Sequence, residues 1–112
     1  MSELINRGTD LAKALKNDNE HLILFYASWC PYSMRFFPVF EKYAEKSGDV
    51  CKRFVVDEEE SICDKYSIEV YPTVLFFKGG KVSKRLDGEL GEGLDEKQLK
   101  EFIKACNIQA GI

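Results

Sequence analysis

The 112-residue chain reads as an α/β protein: a central mixed sheet, parallel strands plus an antiparallel hairpin, flanked by helices on both faces. Three observations carry that expectation. Short apolar runs without polar alternation, HLILFYA and TVLFFK, read as strands buried on both faces. In the first half such runs alternate with stretches of helical spacing, and strand–helix–strand alternation implies parallel neighbours joined by crossover helices. Gly79-Gly80 then links two strand-like segments as a hairpin, which adds an antiparallel neighbour. The length fits a single domain over residues 1–112, since domains cluster near 100–150 residues, roughly. A chain of this size buries about two-thirds of its unfolded surface, enough for a core without staples or metals.

The elements follow in order. Ser2 to Asn6 reads as a short edge strand. Thr9 to Lys16 carries Leu11, Ala12, Ala14 and Leu15 on a short amphipathic helix entered near Thr9 or Asp10. His21 to Ala27 is the first buried strand. Pro31 to Lys46 places Phe36, Phe37, Phe40, Tyr43 and Ala44 at helical spacings, with a kink expected at Pro38. Val50 to Val56 is the next strand. Asp57 to Tyr66 reads as a helix with an acidic start, because carboxylates suit the positive end of a helix. Thr73 to Lys78 and Lys81 to Leu86 form the hairpin. Asp87 to Gly93 holds three glycines and reads as a flexible connection to a closing amphipathic helix, Leu94 to Ile108.

Composition excludes several classes. Hydrophobic residues make up 45% and charged residues 31%, an ordinary globular mix rather than a disordered or fibrous one. Sixteen basic and nineteen acidic residues leave a net charge of −3, whereas nucleic-acid binding calls for a clustered basic excess. No apolar stretch approaches the roughly 18 residues a membrane span requires. The N-terminus shows no secretory pattern. The expectation is a monomer in a reducing, cytoplasmic setting, with no nucleic-acid or membrane partner. The cysteines, Cys30, Cys51, Cys63 and Cys106, are read as free thiols, and none is spaced as half of a zinc site. Cys51 and Cys106 read as packing residues. Cys63 lies among Glu58, Glu59, Glu60 and Asp64, which oppose its ionisation. His21, the lone histidine, is expected at the surface, and the run Asp57 to Glu60 as a solvated helix start rather than a metal site.

The chemistry concentrates at Trp29-Cys30-Pro31-Tyr32-Ser33, where a buried strand meets a helix start. A thiol at a helix N-terminus feels the positive end of the backbone dipole and unpaired amide donors, which favour the thiolate. The thiolate is the nucleophile of disulfide exchange.

With these residues in view the chain resembles the thioredoxin superfamily over nearly its whole length. FYASWCPYS is similar to the family's strand and active-site segment, Pro38 to its helix-kinking proline, and Tyr71-Pro72-Thr73 to its cis-proline loop, while Lys78-Gly79-Gly80-Lys81 and Gly88 fit its hairpin and following turn. The resemblance implies the thioredoxin fold and thiol–disulfide exchange with no cofactor and no metal. It makes Cys30 the attacking thiol and position 33 its catalytic partner, here Ser33. Trp29, Pro31 and Tyr32 would line the substrate site. Pro72 would be cis beside Cys30, and Tyr71 would present its backbone to an extended substrate.

Two departures qualify the resemblance. Dithiol members carry a second cysteine where this chain has Ser33, and a hydroxyl cannot resolve a mixed disulfide. Either the chain is a native one-thiol member or Ser33 replaces a cysteine. Leu24 stands where typical members bury an acid, and it makes the pocket drier, which opposes thiolate formation. Substrates would be protein or small-molecule disulfides, with an external thiol or reductase for recycling. Two other classes stand beside this one. One is a binding module that holds partners at the Cys30 and Pro72 groove without turnover. The other is iron–sulfur carriage as in some one-thiol relatives, which Trp29 disfavours.

Overall fold

A computed structural model describes residues 2–16, 19–47 and 50–107. Among them run β1 (Glu3–Ile5), α1 (Gly8–Ala14), β2 (His21–Tyr26), α2 (Pro31–Ser47), β3 (Cys51–Val55), α3 (Ser61–Tyr66), β4 (Thr73–Lys78), β5 (Lys81–Leu86) and α4 (Glu96–Cys106). The strands form one five-stranded sheet in the order β1-β3-β2-β4-β5. β1, β3 and β2 are parallel, while β4 runs antiparallel to β2 and β5 antiparallel to β4. This is the expected mixed sheet, and the short strand at the N-terminus is its edge.

The pleat divides the core in two. Ile23, Phe25, Phe54, Leu75 and Phe77 point to one face and pack with Leu11 and Leu15 of the α1 segment and Ile62 and Cys63 of α3. Leu22, Leu24, Val74 and Phe76 point to the other face and pack with Phe36 and Phe40 of α2 and Leu99, Phe102 and Ile103 of α4. Side chains alternate across a strand, so a sheet covered on both faces needs strands that are apolar throughout. β2 is buried at every position.

Helix boundaries follow local chemistry. The α4 N-terminus is closed by a capping box: Asp95 Oδ1 accepts from Gln98 N at 2.8 Å, and Asp95 N donates to Gln98 Oε1 at 2.9 Å. The expected end of that helix, Ile108, lies outside the described residues. β1 is secured by a buried cluster in which Ser2 N donates to Glu41 Oε2 at 2.8 Å and Arg53 pairs with Glu41 at 3.4 Å.

Three expectations are corrected. The acidic run does not begin α3, which starts only at Ser61. Asp57 accepts hydrogen bonds from Ser28, and Glu59 accepts from Gly8 N at 2.9 Å. These carboxylates thus serve neighbouring segments, and Glu59 serves the positive end of α1 rather than that of its own helix. The three-glycine segment is not a loose connection. Glu89 and Gly93 close a turn with Glu89 N to Gly93 O at 3.0 Å and Gly93 N to Glu89 O at 2.8 Å. His21 is not at the surface: it is 3% exposed. It begins a strand flanked by β3 and β4, and its Nδ1 lies 3.3 Å from Lys52 Nζ.

Candidate active site

Cys30 sits at the carboxyl end of β2, in the tight link to α2. Its carbonyl accepts the first helical bond from Met34 N at 3.1 Å, and its own N–H donates to Ala27 O at 3.2 Å. Cys30 is thus the N-cap of α2, and Pro31 occupies the first helical position, where its missing N–H costs nothing. Cys30 therefore stands at the amino-terminal end of α2, the place the sequence assigned to it. The thiol side chain is largely covered, 7% exposed, and belongs to the core layer beneath α1 and α3.

The link is held from two sides. Ser28 N donates to Asp57 Oδ1 at 2.9 Å, and the Ser28 hydroxyl donates to the same carboxylate. Asp57 follows β3, so the end of one parallel strand positions the loop leaving its neighbour. Ala27 N donates to Ser33 Oγ at 3.3 Å, and Ser33 is fully buried. The Ser33 hydroxyl is therefore engaged with the strand end.

Trp29 stands out at 63% exposure, and its ring meets the Tyr71 ring edge-on, with centroids 5.8 Å apart at 85°. This contact brings the Tyr71-Pro72 segment against the Cys30 link. The Tyr71–Pro72 peptide bond is cis, and Pro72 is buried. Thr73 Oγ1 donates to Val70 O at 2.7 Å and anchors the far side of the segment. Gly88 explains its own identity, since a Cβ there would lie 2.4 Å from Pro72 O. Pro31 is exposed, Tyr32 and Tyr71 are half-buried, and Arg35 lies over the Tyr32 ring at 5.4 Å. Gly93 approaches Tyr32 as well: a Cβ there would sit 3.0 Å from Tyr32 Cβ. The structure thus gathers Trp29, Cys30, Pro31, Tyr32, Tyr71 and Pro72 at one edge of the molecule, with Ser33 beneath them. Leu24 is fully buried in the layer on the other side of the sheet.

The other thiols differ in surroundings. Burial pushes Cys51 and Cys106 up to about 11 each. Cys63 is also raised, first by burial and further by Glu60 and Asp64, against a lowering contact with Tyr71. That contact, Tyr71 Oη to Cys63 Sγ at 3.1 Å, has no signature in sequence, since it joins a helix to a loop eight residues on. The tie between Ser28 and Asp57 is equally invisible there. Among the described residues no group of three or more His, Cys, Asp or Glu could hold a metal, and no helix is long and apolar enough to cross a membrane.

Comparisons with known proteins agree with this fold. The family model for thioredoxin matches residues 4–105. A thioredoxin of Chlorobaculum thiosulfatiphilum is 35% identical over 91 residues, covering 80% of this chain and 84% of that protein. The chloroplastic thioredoxin Y of rice is 36% identical over 93 residues, 81% of this chain and 55% of the longer relative. Among solved structures, the thioredoxin of Malassezia sympodialis superposes with a TM-score of 0.78 at 27% identity, covering 94% of this chain and 90% of that one.

Proposed function

The chain belongs to the thioredoxin family, and from that premise we propose that it carries out thiol–disulfide exchange through Cys30. The observation that carries the reading is the placement of Cys30 as the N-cap of α2, beside an exposed Trp29 and the Tyr71-Pro72 segment. The Cys30 thiolate attacks one sulfur of a substrate disulfide. The substrate S–S bond breaks, a Cys30–substrate disulfide forms, and the second substrate sulfur leaves as a thiolate that takes a proton from water. Trp29, Pro31 and Tyr32 border the attacked sulfur, and the backbone at Tyr71 pairs with an extended substrate segment.

Release needs a thiol from outside. Ser33 offers only a hydroxyl, which forms no disulfide, and that hydroxyl is already engaged by Ala27 N. A small-molecule thiol or a protein thiol attacks the mixed disulfide, frees the Cys30 thiolate and takes the substrate as a new mixed disulfide. A second thiol then completes the two-electron reduction. Substrates are therefore protein or small-molecule disulfides, and the recycling partner is a thiol donor.

Limiting iodoacetamide with peptide mapping should label Cys30 before Cys51, Cys63 or Cys106. A labelled peptide disulfide should give a long-lived adduct that Cys30→Ser abolishes. First labelling at another cysteine, or an adduct that survives Cys30→Ser, would refute the reading. The engaged Ser33 hydroxyl favours one alternative, a module that retains partners at the Cys30 and Pro72 groove. Catalytic turnover of the peptide disulfide with a supplied thiol excludes it.

A further inference from the structure

We propose that Cys63 is a positioning residue for the exchange site: its thiol holds the Tyr71 hydroxyl, and Tyr71 in turn sets the face that Trp29 presents to a substrate. The proposal rests on the reading of Cys30 as the exchanging thiol. Three observations link these side chains in a line. Cys63 Sγ and Tyr71 Oη lie 3.1 Å apart, with either able to donate. The Tyr71 ring meets the Trp29 ring edge-on at 5.8 Å and 85°. Trp29 immediately precedes Cys30, and Tyr71 immediately precedes Pro72.

The physical need for such a tie is clear. A tyrosine hydroxyl that is partly buried requires a hydrogen-bond partner, and without one the ring turns toward water. Trp29 is 63% exposed on a short link, and Tyr71 is the described aromatic ring that meets its own. Freeing Tyr71 therefore frees Trp29, and a substrate must then order both rings on binding. Cys63 suits the position because it is 8% exposed and stays protonated: burial and the nearby Glu60 and Asp64 raise it. It remains a compact neutral partner for a hydroxyl. Cys63 also shares the core layer of Cys30, whereas Cys51 and Cys106 lie across the sheet.

The test compares the parent with Cys63→Ala, Cys63→Ser, Tyr71→Phe and the double variant Cys63→Ala/Tyr71→Phe. The readout is the saturation kinetics of adduct formation between Cys30 and a labelled peptide disulfide. In Cys63→Ala the half-saturating peptide concentration should rise about fivefold, as for one lost hydrogen bond of ordinary strength, with the limiting rate unchanged. Iodoacetamide, too small to need the groove, should alkylate Cys30 at the parent rate. Cys63→Ser, which keeps a hydroxyl partner, should restore parent behaviour. Tyr71→Phe should match Cys63→Ala, and the double variant should be no worse than either, since residues in one hydrogen bond are not additive. Trp29 fluorescence should shift in Cys63→Ala and return in Cys63→Ser.

Parent kinetics in Cys63→Ala, additive losses in the double variant, or an internal Cys30–Cys63 disulfide after exchange would each overturn the proposal. The last would make Cys63 a reacting thiol. A parent protein that forms no adduct while its Trp29 signal still responds to Cys63→Ala would overturn the function reading. The tie would then be a packing contact alone, and the proposal would fall with that reading.

Discussion

In the proposed exchange at Cys30, Ser33 decides how the reaction is completed. It is fully buried in the first turn of α2, three residues beyond Cys30, and its hydroxyl accepts from Ala27 N at 3.3 Å. Residues three apart on a helix share an edge, so a cysteine at this position stands on the side of Cys30. Ser33→Cys should raise turnover of a peptide or protein disulfide at least about tenfold, or roughly 1.4 kcal/mol of barrier, because an internal thiol then expels the substrate. Reduction rates of the two forms with one supplied dithiol would check this. Equal rates would mean that Cys30 is resolved elsewhere.

At the scale of elements, the site is a meeting of chain segments rather than a pocket within one of them. The β2–α2 link supplies Trp29 and Cys30, Asp57 after β3 ties that link at Ser28, and the segment before β4 brings Tyr71 and Pro72. The turn after β5 closes over the last of these. Gly88 there admits no Cβ, since one would stand 2.4 Å from the Pro72 carbonyl oxygen. Gly88→Ala must therefore displace the Pro72 segment, and overpacking of this kind costs about 1–3 kcal/mol. Urea unfolding should show that loss, and adduct formation with a peptide disulfide should slow more than iodoacetamide labelling of Cys30. A variant with parent stability and parent kinetics would show that the two segments do not constrain each other.

At the scale of the whole molecule, the two ends of the sheet do different work. The carboxyl end of β2 leads into the candidate site at Cys30. Its amino end carries His21, buried beside Lys52. Burial first, and then Lys52, lower His21 from its ordinary value of 6.5, against an opposing effect of Glu3. The unfolded chain then binds more protons than the folded one just below pH 6.5, so stability rises with pH through that window and is lost on acidification. The chain has one histidine, so the effect is separable from carboxylate titration at lower pH. The urea midpoint should fall between pH 7.5 and pH 5.5, and His21→Leu should flatten that slope; an equal slope in the variant would place its cause elsewhere.

The order of elements was legible because it rests on local signals. Apolar runs marked β2 and β4, Gly79-Gly80 marked the hairpin, and the amphipathic spacing of Leu99, Phe102 and Ile103 marked α4. The strand-to-helix step at Cys30 was legible for the same reason, and the resemblance of FYASWCPYS and Tyr71-Pro72-Thr73 joined the two halves of the site. What escaped the sequence was a set of side-chain contacts between residues distant along the chain. Asp57 and Glu59 read as the start of their own helix, yet they bond Ser28 and Gly8, because a carboxylate satisfies whichever amide the fold brings to it. His21 read as exposed because a polar residue at a strand start usually is, whereas here it pairs with Phe77 of β4 and Lys52 of β3 lies against its ring. The local chain determined where Cys30 stands. Tertiary packing alone decided what surrounds it, since hydrogen-bond partners and burial depend on distance in space rather than separation in sequence.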